Sequence, residues 1–260
     1  MKTSISVAFH RRMIQFFIRT GLYAPLKEKW YWLLGHNPDR HCFWSRYIQP
    51  GSLCFDVGAD LGWWIRIMRK YRAQVIAIEP QPRSFHRLEA IFRSDPDVFL
   101  VPAALGATVG TGTMRVSSAS PLSSMSNHWV EAVSKSQRFT GFTWNREIQV
   151  KTTTLDQLIN IHGKPDFIKI DVEGYEDQVI AGLSQPVSHI LFEFNGEFLL
   201  PALDTIRYLS QLGDYRFNFI QGSANVWLLS DWVDSELIMM ALSRYDQQPL
   251  HGEVLAIHQP

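Results

Sequence analysis

Two glycines and two aspartates form the first candidate binding element of this chain. They stand in the run Phe55-Asp56-Val57-Gly58-Ala59-Asp60-Leu61-Gly62. Gly58 and Gly62 permit a tight turn and close approach of a ligand to the backbone, and the free N–H groups of a helix that follows would favour a carboxylate. Asp56 and Asp60 suit an ammonium group. The run therefore predicts a site for an amino-acid moiety, although two glycines also fit a purely structural turn.

Further along the chain, an acidic residue and two small residues extend this candidate site. Glu79, followed by Pro80, ends the next apolar segment. It stands about twenty residues past the glycine turn, the distance at which an acidic side chain can hold the hydroxyls of a ribose. Ala103 and Ala104 follow a third apolar segment and leave room for a flat ring such as adenine. The ligand is thus predicted to contain a nucleoside, although a lone glutamate can be a solvated loop residue and alanines can simply pack.

Three more carboxylates, Asp171, Glu173 and Glu193, follow or end two later apolar segments. Clustered carboxylates are costly unless a cation, a hydrogen-bond donor or a raised pKa compensates. A sulfonium cofactor would supply a positive charge, and a substrate hydroxyl would require a general base. Two alternatives remain open: Glu173 and Glu176 can stabilise the start of the next helix, or the oxygens can hold a divalent metal ion. The histidines have no metal-ligand spacing, and no metal site is predicted.

Short apolar segments that alternate with amphipathic ones must position these residues. Strands are predicted at residues 52–57, 74–78, 98–101, 167–170 and 189–194, and helices at 62–71, 82–94, 175–183 and 203–212. This alternation predicts an α/β fold with a mostly parallel sheet that is covered by helices on both faces. In such a sheet ligands bind at the carboxyl ends of the strands, which is where the candidate residues stand.

The remaining segments are less regular. Glycines predict a hairpin over residues 106–116, followed by a serine-rich loop over 117–126, and residues 147–153 alternate like an edge strand. Thr154 is placed to cap a short helix. Two last strands, at 217–220 and 225–229, are predicted to form a closing hairpin that supplies one antiparallel insertion.

The composition of the 260 residues limits the classes of partner. Twenty-five basic residues balance twenty-five acidic ones, so nothing favours a nucleic-acid partner. Cys42 and Cys54 predict neither a disulfide framework nor a zinc site. No signal peptide or membrane span is predicted, so a cytoplasmic location is expected. We predict a helical extension over residues 1–50 and one α/β domain over 51–260. The basic, aromatic start of the extension can lie on an anionic membrane surface or pack internally.

The motifs resemble those of the FkbM-type methyltransferases. The resemblance covers residues 51–195 and is carried by the glycine turn, Ile78-Glu79-Pro80, Thr153-Thr154-Leu155-Asp156 and Phe167-Ile168-Lys169-Ile170-Asp171-Val172-Glu173-Gly174-Tyr175-Glu176. It implies a Rossmann-like class I methyltransferase fold whose seventh strand is antiparallel. It also implies S-adenosylmethionine as the cofactor, methylation of oxygen as the reaction, and an acceptor among sugars, glycolipids or natural products.

The resemblance also implies a role for several residues. Asp56, Gly58, Asp60 and Gly62 would contact the methionine part of the cofactor, and Glu79 its ribose. Asp171 would lie beside the sulfonium and the acceptor, where we predict it to act as the base, with Glu193 as second choice. Two positions depart from the family's pattern: Asp60 replaces the usual asparagine, and Trp63-Trp64 is bulkier than expected after the turn.

Two other functions share some of these features. A nicotinamide-dependent oxidoreductase also has a glycine turn and a later acid, but it usually carries Gly-x-Gly-x-x-Gly, which the spacing from Gly58 to Gly62 does not match. A cofactor-binding or scaffold protein without turnover is the second. The acceptor and the oligomeric state stay open at this stage.

Overall fold

The computed structural model describes residues 43–222 and 226–259. A seven-stranded sheet forms its centre. Its strands are β1 (Leu53–Val57), β2 (Gln74–Ile78), β3 (Val98–Val101), β7 (Phe167–Ile170), β8 (His189–Asn195), β9 (Tyr215–Gln221) and β10 (His251–His258). They are ordered β3-β2-β1-β7-β8-β10-β9, and β10 runs antiparallel to both of its neighbours. The predicted mostly parallel seven-stranded sheet with an antiparallel last strand is confirmed.

Seven α-helices connect the strands of the described residues. They are α1 (Trp63–Lys70), α2 (Pro82–Phe92), α3 (Asn127–Val133), α4 (Leu155–His162), α5 (Glu176–Ile180), α6 (Leu200–Leu212) and α7 (Ser235–Ser243). Thr154 caps α4 as predicted, because its hydroxyl accepts a hydrogen bond from the backbone N–H of Gln157 at 3.1 Å. The helix predicted over residues 175–183 is shorter, since the chain turns away at Gly182, where a Cβ would stand 2.5 Å from the carbonyl oxygen of Gly106.

A second, three-stranded sheet corrects the predicted hairpin. Its strands are β4 (Ala104–Leu105), β5 (Gly110–Val116) and β6 (Arg146–Thr153), ordered β4-β6-β5. Strand β5 pairs with β6 rather than with a neighbouring segment, so the hairpin predicted over residues 106–116 is wrong, and β6 is the middle strand rather than an edge. Glycine turns mark where a strand begins, but they do not identify a partner that lies beyond a long insertion.

The closing hairpin was also predicted wrongly. Residues 226–229 form no strand, and Asn225 lies outside the described residues. The partner of β9 is β10, which enters the sheet between β8 and β9 after α7. The α7 helix and β10 were both missed, because the predicted hairpin had already assigned a partner to β9.

Two apolar clusters lie on opposite faces of the sheet, since side chains alternate along each strand. One face carries Phe55, Ile168, Phe192 and Val254, and the other carries Cys54, Phe167, Leu191 and Leu255. The second face is covered by α1 and by residues 43–48, which include the buried Trp44 and Ile48. This two-residue period determines which polar side chains meet at the ends of the strands.

The helical extension predicted over residues 1–50 falls mainly on residues 1–42, which lie outside the described residues. Among the helices of residues 43–222 and 226–259, none combines the length and the apolar character needed to cross a membrane.

Candidate active site

A pocket lies at the carboxyl ends of β1 and β2. Its empty volume is about 500 Å³, part of which is open to solvent. Its lining contains most of the predicted site residues: Gly58, Asp60, Glu79, Pro80, Ala103, Ala104 and Asp171. Asp56, Gly62 and Glu193 are not part of the lining. The serine-rich loop supplies Ser120, Pro121, Ser123 and Met125 on the other side. The predicted site residues therefore form one wall of the pocket. For the other wall, the sequence indicated only a serine-rich loop and no individual residues.

The two positions of the turn require glycine for different steric reasons. Gly58 adopts a φ of 83°, and a Cβ there would lie 1.9 Å from the carbonyl oxygen of Asp171. Gly62 begins α1 with a φ of 74°, and a Cβ there would lie 2.4 Å from the ring of Phe92. Gly58 therefore lets two strand ends meet at the pocket, whereas Gly62 lets α1 pack against α2.

Asp60 connects the glycine turn to two other elements. Its φ is 40°, a left-handed conformation that aspartate and asparagine tolerate better than most residues. Its Oδ1 accepts hydrogen bonds from the hydroxyls of Ser84, at 3.1 Å, and Ser120, at 2.9 Å. Ser84 belongs to α2 and Ser120 to the serine-rich loop, so Asp60 ties the loop across the pocket. An aspartate at this position, where the family usually has asparagine, is compatible with the left-handed backbone and with the two hydroxyl donors.

Glu79 lies buried at the pocket with both carboxylate oxygens engaged. Oε1 accepts from the N–H of Gln81 at 2.7 Å, and Oε2 accepts from the N–H of Asp60 at 2.9 Å. Burial raises the pKa of Glu79 to about 8, and the negative charge of Asp60 acts in the same direction, while the two N–H groups oppose them. Each oxygen retains lone-pair capacity for a ligand hydroxyl.

Asp56 lies outside the pocket lining, in the interior behind the glycine turn, with 1% of its surface exposed. Burial raises the pKa of its carboxyl to about 7, and the charge of Lys169 opposes this rise. Its Oδ2 is buried without a hydrogen-bond partner. A buried acceptor in this state suits a nearby hydrogen-bond donor or cation.

Asp171, Glu173 and Glu193 form an acidic cluster, in which one carboxylate oxygen from each lies within 4.8 Å of the others. The three carboxylates that the sequence singled out thus lie together. Burial raises the pKa of Glu193 well above its ordinary value, and the negative charges of Glu173 and Asp171 raise it further, whereas Lys169 lowers it. Glu193 therefore takes up a proton more readily than an exposed glutamate does. Asp171 belongs both to this cluster and to the pocket lining.

Lys169 is a cation beneath this cluster, and it was not among the predicted site residues. It is fully buried, with its Nζ 3.4 Å from Oδ2 of Asp171 and 3.3 Å from Oε1 of Glu253. Burial lowers the pKa of Lys169, but the charges of Asp171, Glu253 and Glu193 outweigh this effect and raise it. The ring of Trp64 lies 5.9 Å away and covers the ammonium group. A lysine within an otherwise apolar strand was the available signal.

The loop between β7 and α5 is held in place by the insertion between β5 and β6, residues 117–145, which contains α3. Gly174 packs so closely on Trp129 that a Cβ would lie 2.3 Å from the indole ring. The hydroxyl of Ser124 donates to the carbonyl oxygen of Glu173 at 2.6 Å. Oε1 of Glu176 accepts from the N–H groups of Val172 and Gly174, which agrees with the helix-start alternative for Glu176. The loop that carries Glu173 is thus in direct contact with Ser124 and Trp129.

A family model described as the methyltransferase FkbM domain matches residues 56–217. The chain is also similar to the hexuronic acid methyltransferase AglP of Haloferax volcanii, with 26% identity over 146 residues. This match covers 55% of the chain and 55% of the relative, so the chain spans about half the length of the curated relative that it matches.

Solved methyltransferase structures are also similar to the chain. One is an O-methyltransferase from Bacillus cereus in complex with SAH, at a TM-score of 0.45 and 9% identity over 86% of this chain and 81% of that chain. Another is fibrillarin from Aeropyrum pernix with natively bound S-adenosyl-L-methionine, at a TM-score of 0.40 and 12% identity over 81% and 68%.

Proposed function

Because the chain belongs to the FkbM methyltransferase family and its cofactor is S-adenosylmethionine, we propose that it methylates a hydroxyl oxygen of a sugar, a glycolipid or another natural product. The observation that supports this choice is the position of Asp171, which lies both in the pocket and in the acidic cluster. A proton acceptor beside the cofactor pocket is what the methylation of a hydroxyl needs.

The residues of the pocket fit the cofactor by their chemistry. In our proposal the glycine turn at Gly58 and the carboxylate of Asp60 bind the amino-acid part, and Glu79 binds the ribose hydroxyls. Pro80, Ala103 and Ala104 adjoin the adenine ring. Asp56 and Gly62 lie outside the pocket lining and stabilise the conformation of the glycine turn. When bound, the cofactor supplies a methyl group that is activated by the positive charge on its sulfur.

The protein itself has to orient the acceptor and remove its proton. We propose that the proton of the acceptor hydroxyl passes to the pair formed by Asp171 and Glu193. Asp171 is the member of the pair that lines the pocket. The raised pKa of Glu193 means that the pair can hold a proton without a large energetic cost. Lys169 compensates part of the negative charge from below. Most of the remaining catalytic effect would come from alignment and from the exclusion of water by the serine-rich loop.

A sugar is the acceptor class that we favour, for two reasons. Carboxylates that lie close together accept hydrogen bonds from neighbouring hydroxyls, and the relative from Haloferax volcanii is named as a hexuronic acid methyltransferase. For a lipid-linked sugar, the basic segment before residue 43 would provide a peripheral contact with the membrane from the cytoplasmic side. That contact is part of the proposal.

Two measurements test the proposed function. Calorimetry should detect binding of S-adenosylhomocysteine and no binding of NAD, whereas binding of NAD alone would favour the oxidoreductase. The chain is then incubated with S-adenosylmethionine labelled in the methyl group and a panel of methyl glycosides, the corresponding uronides and lipid-linked sugars. Mass spectrometry should find the label in an O-methyl ether. A label on nitrogen or carbon, or binding without transfer to any acceptor, would contradict the proposal.

A further inference from the structure

A series of hydrogen-bonded side chains leads from Glu193 to an arginine in the insertion. Nδ2 of Asn195 donates to Oε2 of Glu193 at 3.3 Å, and Oδ1 of Asn195 accepts from a terminal nitrogen of Arg138. Asn195 is only 5% exposed, so water competes little for its amide. Arg138 is 57 residues away in sequence and was not among the predicted site residues. The series thus connects the acidic cluster to the segment between β5 and β6, which is distant in sequence.

Elementary hydrogen-bond chemistry gives this series a direction. A guanidinium group can only donate hydrogen bonds, so the oxygen of the Asn195 amide has to face Arg138. The amide N–H₂ then has to face Glu193. The side-chain amide of an asparagine beside a carboxylate could otherwise rotate by 180°, so that its oxygen and nitrogen change places as the carboxylate gains or loses a proton. Arg138 removes this freedom and leaves a donor directed at Glu193 in both states.

Arg138 is itself fixed by its surroundings. Its Nε lies 3.1 Å from Oε1 of Glu197, whose side chain is 8% exposed. The same oxygen of Glu197 accepts from the hydroxyl of Ser136 at 2.8 Å. The guanidinium lies over the ring of Phe139, 4.5 Å from its centroid. With an ion pair and a ring contact, its charge is engaged within the protein and its plane is set before a substrate arrives.

A second contact of Arg138 determines the protonation state of His251. Another terminal nitrogen of Arg138 lies 3.1 Å from Nδ1 of His251. Because arginine donates, Nδ1 has to be unprotonated, and the neutral imidazole carries its proton on Nε2. Burial lowers the pKa of His251, and the charge of Arg138 lowers it further. His251 is the register partner of Asn195 on β10, so Arg138 orients two adjacent side chains beside the acidic cluster.

We propose that Arg138 is a positioning residue of the active site, which through Asn195 keeps a hydrogen-bond donor directed at Glu193 and holds His251 as its neutral Nε2–H form. The catalytic part of this inference rests on the proposed role of Glu193 in proton removal. The donor stabilises the carboxylate form of Glu193, which would otherwise be protonated too readily among its acidic neighbours to serve as a base.

The charges around Glu193 define what the donor has to oppose. The groups that face it or lie within the same network are Asp171 and Lys169 from β7 and its end, Glu173 and Glu176 from the loop and α5, Glu253 and His251 from β10, and Arg138 with Glu197. Most of these groups are acids. The loss of a donor should therefore shift the titration of Glu193 upward.

The test follows Glu193 directly and needs no acceptor. The full chain is labelled with ¹³C at the glutamate carboxyl carbon, and the resonance of Glu193 is identified by its loss in Glu193→Gln. In Asn195→Asp, which keeps an acceptor for Arg138 but removes the donor and adds a charge, the titration midpoint of Glu193 should rise by at least about one pH unit. Arg138→Met should produce a smaller rise in the same direction, and Arg138→Lys should restore part of it.

The same samples report on His251 and on folding. Nitrogen chemical shifts of ¹⁵N-labelled histidine should show the Nε2–H form in the wild type and a loss of this preference in Arg138→Met. Calorimetry with S-adenosylhomocysteine shows whether each variant keeps a folded cofactor pocket. Asn160→Asp and Arg207→Met are matched controls, because both residues are exposed and neither is a hydrogen-bond or ion-pair partner of Glu193, Asn195 or Arg138. Neither should shift the midpoint. If Arg138→Met does not fold, the midpoint in Asn195→Asp and the form of His251 in the wild type decide the result.

Two outcomes would overturn the inference. One is an unchanged midpoint of Glu193 in folded Asn195→Asp, and the other is a protonated Nδ1 on neutral His251 in the wild type. These measurements do not depend on methyl transfer. If they succeed while no acceptor is methylated, the positioning role of Arg138 stands and the proposed function fails. Once an acceptor is identified, Arg138→Met should lower kcat at neutral pH with little change in the affinity for the cofactor.

Discussion

The backbone at Gly58 contacts the backbone at Asp171 so closely that a single methyl group would not fit between them. A Cβ on Gly58 would lie 1.9 Å from the carbonyl oxygen of Asp171. The N–H of Asp171 also donates to the carbonyl oxygen of Val57 at 3.0 Å. The glycine turn and the carboxylate at the end of β7 are therefore one structural unit, and a change on one side has to move the other.

The substitution Gly58→Ala tests this contact. Gly51 provides a matched control, because its φ of 84° equals that of Gly58 within a degree, yet nothing lies within 4 Å of a Cβ there. Gly51→Ala should lower the free energy of unfolding by about 1–2 kcal/mol through backbone strain alone. Gly58→Ala should lower it further and weaken binding of S-adenosylhomocysteine by about tenfold or more. Urea unfolding and calorimetry measure both effects, and equal losses in the two variants would contradict the contact.

The parts of the fold that were predicted correctly depend on local patterns. Strands β1, β2 and β7 are short apolar runs because both faces of a central parallel sheet are buried. The pairing of β5 with β6 and the insertion of β10 were not predictable in this way, because each depends on a partner that is distant in sequence. A period of two shows that a segment is a strand, but not which edge it joins.

The same distinction separates the site residues that were predicted from those that were missed. The carboxylates of Glu79, Asp171 and Glu193 were found because they stand at the ends of apolar runs, where ligands bind in a parallel sheet. Glu253 and His251 were missed because they belong to β10. Arg138 was missed because its insertion folds back onto β8. Their roles come from neighbours in space that the order of residues does not show.

Replacement of the two candidate proton acceptors should separate their roles. Glu193→Gln should lower methyl transfer by about 100-fold or more, with little change in the affinity for S-adenosylhomocysteine, because Glu193 does not line the pocket. Asp171→Asn should lower both, because Asp171 lines the pocket and pairs with Lys169. Glu131→Gln, at an exposed position, is the control. Full activity in Glu193→Gln would remove that residue from the mechanism.

The buried carboxyl of Glu79 makes stability depend on pH in a defined direction. Its pKa rises from 4.5 to about 8 on folding, so the folded chain binds more protons than the unfolded chain between these values. Stability should therefore fall as the pH rises from about 5 to about 8, and Asp56 and Glu176, whose pKa values rise to about 7, act in the same direction. Urea unfolding at several pH values should show a shallower fall in Glu79→Gln.

An exposed glutamate controls for the substitution itself. Glu236→Gln lies in the first turn of α7 and should leave the slope of stability against pH unchanged. Glu79→Gln can be less stable than the wild type at every pH, because an amide offers only one oxygen to the two N–H groups. The slope rather than the absolute stability carries the prediction. A slope identical to that of the wild type would show that Glu79 is ionised in the folded protein at pH 5.

The buried ammonium of Lys169 should be coupled energetically to Glu253. Lys169→Met leaves the carboxylates of Asp171 and Glu253 without their shared cation, and the loss of one partner of a buried ion pair costs about 3–5 kcal/mol. The double variant Lys169→Met/Glu253→Gln removes one of the uncompensated charges, so it should be more stable than Lys169→Met alone. Urea unfolding of the four proteins at pH 7 gives the coupling energy from a double-mutant cycle. If the two single losses simply add, the contact of Lys169 with Glu253 contributes nothing to stability.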